Sequence, residues 1–435
     1  MIANFIFSLL LIAAAWLFTR NVKRISRNIR MGKKVSINDQ KPKRWKLMAR
    51  VAIGQSKMTT RPVSAIMHLF VYVGFIVINI EMIEILIDGV FGTHRILSFA
   101  GSAYPVLISL FEIFALLVIV ACIVFLIRRN WIRLGRFWTR EMTPWPRSDA
   151  NIILVTEILL MSSILLMNAS DGLLQDRGSL HYAVVGPFLI SDLIKPLLAG
   201  LPDASLIVIE RSTWWFHIIG VLVFLNYITY SKHFHILLSF PNVYYSKLGP
   251  LGKMDNMPSI TQEVKLMLNP QITADHTANE EEMGQFGARD VNDLNWKLLM
   301  DAYTCTQCGR CTSSCPASMT GKKLSPRKIV MDVRFRAEEL GRYLHRNGNG
   351  KGDGKSLFDR IEAEELWACT TCNACVEECP VNIDPLAVIL ELRRYLVMEK
   401  AAAPGELNAT FSNMENNGAP WQFSNEDRMQ WAGTN

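Results

Sequence analysis

Residues Cys305–Pro316 read CTQCGRCTSSCP and residues Cys369–Pro380 read CTTCNACVEECP. Each run is C-x2-C-x2-C-x3-C-P, and together they hold eight of the nine cysteines in the chain. Three thiolates spaced this way on one loop can grip three irons of a cubane, and the fourth iron must be reached from elsewhere. Structural zinc also takes four thiolates, but it typically pairs two C-x2-C knuckles. A third cysteine at the same spacing, a terminal Cys-Pro and the repetition of the whole pattern point to two [4Fe–4S] clusters. The ninth cysteine, Cys122, stands in an apolar run and reads as a small buried hydrophobe.

Outward from the cysteines toward the amino terminus, the chain changes character near residue 240. Half of its residues are hydrophobic, yet 20% are charged. The apolar runs come first, and the acids and cysteines come mostly after them. Five segments are long enough to cross a hydrocarbon core of about 30 Å: Ile2–Phe18, Val63–Ile87, Tyr104–Ile127, Asn151–Met167 and Ser212–Tyr230. They must be helical, because a backbone in lipid satisfies its own hydrogen bonds. The first has its positive charges after the apolar run and no small-residue cleavage site, so it reads as a retained helix.

Basic residues assign the sides. Arg20 to Lys34 follow the first run, and Arg128 to Arg140 follow the third, as expected of cytoplasmic loops. The amino terminus is then outside, and everything after Tyr230 is cytoplasmic, where thiols stay reduced and free to bind metal. The net charge of +7 is spent at these membrane flanks, which argues against a nucleic-acid partner. The expected fold is mainly α. A five-helix transmembrane domain fills residues 1–240 of a protein of the bacterial cytoplasmic membrane. A polar linker follows at 241–290, including the acidic run Glu280–Glu282. A helical iron–sulfur domain occupies 291–400, with a glycine-rich mobile loop at Asn347–Gly354, and a tail occupies 401–435.

The cysteine runs are those of two-cluster ferredoxins, in which the fourth cysteine of each run serves the other cluster. That resemblance implies one cluster on Cys305, Cys308, Cys311 and Cys379, and a second on Cys369, Cys372, Cys375 and Cys315. Because the spacer between the runs looks helical, residues 290–400 more closely resemble the all-helical ferredoxin domain of heterodisulfide reductase small subunits. The succinate dehydrogenase iron–sulfur protein has a similar domain.

Three membrane histidines invite haem. His68 and His235 lie at the same predicted depth on different helices, as an iron held by two imidazoles requires. His217 and His235 are eighteen residues apart, about 27 Å along a continuous helix and on one face of it. This half resembles the five-helix haem b subunit of respiratory nitrate reductases, whose fifth helix carries two histidines at that spacing. On the second helix His68 matches, but Ile78 and Asn79 stand where the other ligand belongs. The resemblance therefore implies one haem b on His68 and His235. A second would need His94 or His181 as the partner of His217, unless His217 lines a quinone pocket. Glu81, Glu84 and Glu112 read either as proton relays for a quinone substrate or as solvated headgroup-zone acids.

A haem b bundle joined to a helical ferredoxin resembles membrane electron-transfer proteins of the heterodisulfide reductase-like group, including flavoprotein–quinone oxidoreductases. The resemblance implies the quinone-reacting subunit of a multi-subunit oxidoreductase. Its partner would be a cysteine-rich iron–sulfur subunit, an electron-transfer flavoprotein or a dehydrogenase. The tail at Asn413–Trp431 resembles the connector to such a cysteine-rich domain and is expected to dock it. The chain shows no dinucleotide fingerprint, phosphate loop or Ser-His-Asp arrangement. The alternatives are a membrane-anchored iron–sulfur redox sensor, for which no output module is visible, and a scaffold whose clusters are structural.

Overall fold

The computed structural model describes residues 2–182, 184–269, 285–348 and 352–433. It is mainly helical, with no strand among the described residues. Five helices are long and apolar enough to cross a membrane. They are α1 (Ile2–Ile29), α2 (Pro62–Phe91), α3 (Tyr104–Leu126), α4 (Pro144–Asp176) and α5 (Asp203–Tyr227). Prolines open α2, α3 and α4 in the first turn, where a missing N–H breaks no intrahelical bond. Phe5, Trp16, Phe75, Val106, Leu159 and Val223 point outward uncovered. Such an apolar belt is costly in water and natural in lipid, so this is a membrane protein.

Three helices run past their apolar windows. Helix α1 continues to Ile29 and α4 starts at Pro144, while α5 starts at Asp203 rather than Ser212. Polar residues extend a helix beyond lipid at no cost, so a hydropathy window misses them. As a result His217 lies deep within α5, not near its start. The fifth helix also ends at Tyr227, which overturns the expectation that His217 and His235 share a face of one continuous helix. Asp149 on α4 captures the break: it accepts from Tyr227 Oη at 2.6 Å and from the Lys232 backbone N–H at 3.1 Å.

The second half is built from α6 (His235–Tyr244), α7 (Trp296–Thr304), α8 (Pro326–Asn347) and α9 (Pro385–Arg394). Side-chain caps start three of them. Asn295 accepts from Leu298 N, Ser325 from Lys328 N, and Asp384 from Ala387 N. One hydrophobic core runs through both halves, joining Ile25, Val51, Ile228 and Phe234 to Leu299, Ile329, Val333 and Leu392. The end of α1 crosses α8 at Gly341, where a Cβ would meet Asn28 Oδ1 at 2.2 Å. Asn28 Nδ2 then reaches Tyr303 Oη at 2.9 Å. This domain caps one end of the bundle, the near end, and leaves the far end free of it.

The expected linker at 241–290 does not hold as drawn. Its boundary cuts α6, which carries Pro241 and buries Asn242 and Val243. A further helix spans Pro258–Leu268, and Ala288 N donates to Glu391 O at 2.9 Å. The acidic run Glu280–Glu282 and residues 349–351 of the glycine-rich loop lie outside the described residues. Beyond Lys400 a helix at Gly405–Asn417 leaves Phe411 and Met414 exposed.

Arg336 ties this half together. Its buried guanidinium donates to Asp290 at 2.9 Å and to Asp353 at 2.6 Å. Arg336→Met leaves two carboxylates without their cation, and removing one partner of a buried ion pair costs about 3–5 kcal/mol. A denaturant melt should show that loss, and an unchanged midpoint would contradict it.

Candidate iron–sulfur and haem sites

The two cysteine runs wind alike. In the first, Gln307 and Gly309 have positive φ; in the second, Thr371 and Asn373 do. These turns let a backbone N–H fold back on the first sulfur of each run: Gln307 N to Cys305 Sγ and Thr371 N to Cys369 Sγ, both at 3.4 Å. Ile383 N reaches Cys379 Sγ at 3.3 Å. Such donors stabilise negative sulfur and raise cluster potentials. At Gly309 a Cβ would come within 2.5 Å of the Arg327 guanidinium, so the left-handed φ and the close approach both call for glycine.

The runs interlock. One cavity is lined by Cys305, Cys308, Cys311, Cys375 and Cys379. Burial pushes the Cys379 thiol up to about 12, and the neighbouring Cys308 and Cys305 add to it. Burial also raises Cys369, with Cys315 and Cys372 among its electrostatic neighbours. Cys315 likewise neighbours Cys375. Each run therefore sends its last cysteine toward the other. Cys372 is the exposed member of the eight. Thiols this buried and crowded ionise poorly alone, and cationic iron is what makes such a set favourable.

Arginines line the first cavity. Arg327, fully buried, donates to Glu141 at 2.7 Å and to the Arg136 carbonyl at 2.6 Å. Arg310 donates to the Lys57 carbonyl at 3.0 Å. The second run has Arg393, which donates to the Cys369 carbonyl at 2.6 Å.

His68 and His235 come together at the near end, with ring centroids 6.4 Å apart. Two imidazoles on one metal, each nitrogen roughly 2 Å from it, have centroids roughly 6 Å apart. Each ring has its Nδ1 engaged: His68 with Gln55 Oε1 at 3.0 Å, His235 with the Lys232 carbonyl at 3.1 Å. That is how a ligating histidine is oriented, with Nε2 left for the metal. Burial holds His235 below the ordinary histidine range, which keeps the ring neutral, as ligation requires. His233 is held neutral by burial too, at about 3, and meets the His235 ring edge-on at 5.5 Å.

His217 is buried, and neither expected partner is joined to it. His94 sits beside Asp171 and Tyr182, and His181 is exposed. Met82 faces His217 instead, its Sδ 3.3 Å from Nε2.

The three glutamates are buried, so the solvated reading fails. Glu112 is spent as a staple: Asn168 Nδ2, Ile190 N and Ser191 N donate to it at 3.1, 2.8 and 3.2 Å. Glu84 accepts from Tyr104 Oη at 2.8 Å and Leu97 N at 2.9 Å. Among the described residues neither oxygen of Glu81 has a hydrogen-bond partner. At the far end lies a cavity of about 280 Å³ walled by Phe7, Trp214 and Trp215, with Glu84, His94 and Arg95 on its polar side. Arg95 is tied to Asp171 at 2.8 Å and Asn168 at 2.6 Å. Sequence reasoning missed Arg95, Arg327, Gln55 and Met82, which lie in no motif, and Arg310, which lies inside the first cysteine run.

These cysteines belong to a recognised class of site: residues 304–383 match the family model of the 4Fe–4S dicluster domain. Over 99% of its length the chain is 28% identical to the probable iron–sulfur-binding oxidoreductase FadF of Bacillus subtilis, covering 61% of that protein. It is 25% identical over 87% of its length to the EtfAB:quinone oxidoreductase of Syntrophomonas wolfei, covering 52% of it. A shorter match, over 24% of the chain and 37% identical, is to one subunit of the ferredoxin/F420H2-dependent CoB–CoM heterodisulfide reductase of Methanosarcina acetivorans, 52% of which it covers. The chain thus spans about half to three fifths of the length of these relatives. No solved structure matches it. Motif and helices together define a membrane protein that carries a two-cluster iron–sulfur domain.

Proposed function

We propose that this chain carries electrons between a cytoplasmic partner and the quinone pool of the bacterial cytoplasmic membrane, through two [4Fe–4S] clusters and haem b. Cys305, Cys308, Cys311 and Cys379 would hold one cluster, and Cys369, Cys372, Cys375 and Cys315 the other. His68 and His235 would hold the haem, as in the nitrate reductase haem b subunits that the membrane half resembles. When bound, these groups supply one-electron carriers; the chain supplies their positions and their surrounding charge.

The observation that carries this reading is one strap, residues 55–61. Its Gln55 bonds His68 at 3.0 Å. Its Lys57 carbonyl accepts from Arg310 beside the first run at 3.0 Å, and Lys57 Nζ donates to the Glu377 carbonyl in the second run at 2.9 Å. Arg61 pairs with Glu378 at 3.4 Å. A segment bonded to both cysteine runs and to a haem-ligand candidate fixes their separation, which electron transfer between them requires.

The far-end cavity suits a quinone headgroup, offering aromatic walls for the ring and polar groups for its oxygens. Glu84 lines this cavity, and Glu81, three positions away on α2 with neither oxygen hydrogen-bonded among the described residues, is the acid that would pass a proton on to it. The relative named as an EtfAB:quinone oxidoreductase supports quinone as the redox partner. The exposed Phe411, Met414 and Trp421 of the tail suit a docking face for a cysteine-rich iron–sulfur protein, or for a flavoprotein or dehydrogenase. Lys and Arg after α1 and α3 support the cytoplasmic side for the cysteines.

The test is to reduce the purified full-length protein chemically and add a soluble quinone. The haem band should reoxidise with stoichiometric quinol formation. A reduced haem indifferent to quinone would overturn the assignment of the acceptor.

A further inference from the structure

Between the first cysteine run and His68 the chain buries a positive charge and gives it no carboxylate. Arg310 stands between Cys308 and Cys311 and is 3% exposed. Its Nη1 donates to the Lys57 carbonyl at 3.0 Å and its Nη2 to Met58 Sδ at 3.3 Å. Both acceptors are neutral, and no Asp or Glu among the described residues pairs with it. Arg136 repeats the pattern from the membrane half. Its Nε is buried without a hydrogen-bond partner among the described residues, where it too forms no ion pair. Its electrostatic neighbours are Cys308, Arg61, Arg310 and Arg128. Glu378 pairs with Arg61 at 3.4 Å, which leaves the other guanidiniums without an anion. A buried charge lacking its partner is strongly unfavourable, so this corner is built to receive one.

The first cluster is anionic, and Arg310 lines its cavity. Among the described residues, however, the guanidinium makes no hydrogen bond to a cysteine sulfur. Both of its bonds end on the strap at 55–61, the segment whose Gln55 holds His68 at 3.0 Å. Arg310 is also among the charges that act on the His68 ring. The tip of the side chain therefore lies on the histidine side of the run. A guanidinium there matches a carboxylate through parallel hydrogen bonds, and haem b carries its carboxylates on one edge of the ring.

We propose that Arg310 and Arg136 seat the propionate carboxylates of the haem on His68 and His235. This rests on the haem reading of those two histidines. A residue inside a cluster-binding run then also holds the haem, and it turns the haem's carboxylate edge toward the first cluster. The contact is ionic: no bond breaks and no proton moves, because guanidiniums stay charged and propionates ionised at neutral pH.

Full-length protein with its clusters in place, produced without haem, should bind haemin about tenfold to a hundredfold more tightly than haemin dimethyl ester. The ester keeps ring and iron and lacks the carboxylates, so both should give the bis-histidine spectrum. Arg310→Gln should weaken haemin and leave the ester's affinity unchanged, and Arg310→Lys should restore part of the preference. Iron content and the reduced cluster signal report that each variant is folded. Equal affinity of the wild type for the two haems would overturn the proposal and leave the His68–His235 haem standing. So would an Arg310→Gln, Arg136→Gln protein that shifts a cluster potential but keeps the full preference, since the charges would then serve the cluster alone. Failure of the wild type to bind either haem would overturn the underlying reading as well.

Discussion

Replacing Cys305 and Cys379 together with alanine will leave one intact four-iron cluster, whereas replacing Cys369 and Cys379 together will leave none. The difference comes from the interlocking of the runs. If Cys379 completes the site of the first run, the first pair of substitutions strikes one cluster twice. The second pair strikes each cluster once, and a cubane short of a thiolate loses its exposed iron. Iron content should fall from about eight to about four per chain in the first variant, with an unaltered reduced [4Fe–4S] signal. The second variant should show no intact four-iron signal at all. The reverse outcome would mean that each run serves its own cluster. The burial of Cys379 beside Cys308 and Cys305 is what makes the crossed arrangement the expected one.

His68→Leu will abolish the low-spin bis-histidine haem spectrum, and His235→Leu will do the same. His233→Leu will not, although His233 is close enough to His235 to compete for the iron. His68 and His235 have the ring separation that an intervening iron needs, and each has an Nδ1 acceptor that fixes the ring. Gln55→Leu should weaken haem binding by about tenfold to a hundredfold, as loss of a ligand-orienting bond does. Optical titration with haemin reads all four variants. Retention of the bis-histidine spectrum in His68→Leu would contradict the site.

Much of this architecture was legible in the sequence because two kinds of constraint leave local traces. Lipid demands about twenty consecutive apolar residues, so the five spans declare themselves. Cubane chemistry demands thiolates at fixed spacing, so the cysteines do too. His68 and His235 were legible through matched depth, and their meeting did not depend on the helix being continuous. What stayed hidden is set by tertiary packing. The charges of Asp203, Glu210 and Arg211 interrupt the apolar run ahead of Ser212, so His217 was set too near a helix end. The staple made by Glu112 depends on Ile190 and Ser191, 78 and 79 positions away. Met82 looks like any apolar helix residue in the sequence, and only the packing of α2 against α5 sets its Sδ beside His217. The strap at 55–61 contains no motif, and its importance lies in bonds to three distant elements.

The proposed electron flow from the clusters to a haem on His68 and His235 is tested most directly by rapid photoreduction of the full-length protein, with clusters and haem followed separately. In the wild type, haem reduction should rise as the cluster signal decays. In the Cys305→Ala, Cys379→Ala protein, the second cluster should still be reduced while haem reduction slows sharply. Equal haem reduction rates in the two proteins would contradict a path that runs through the first cluster.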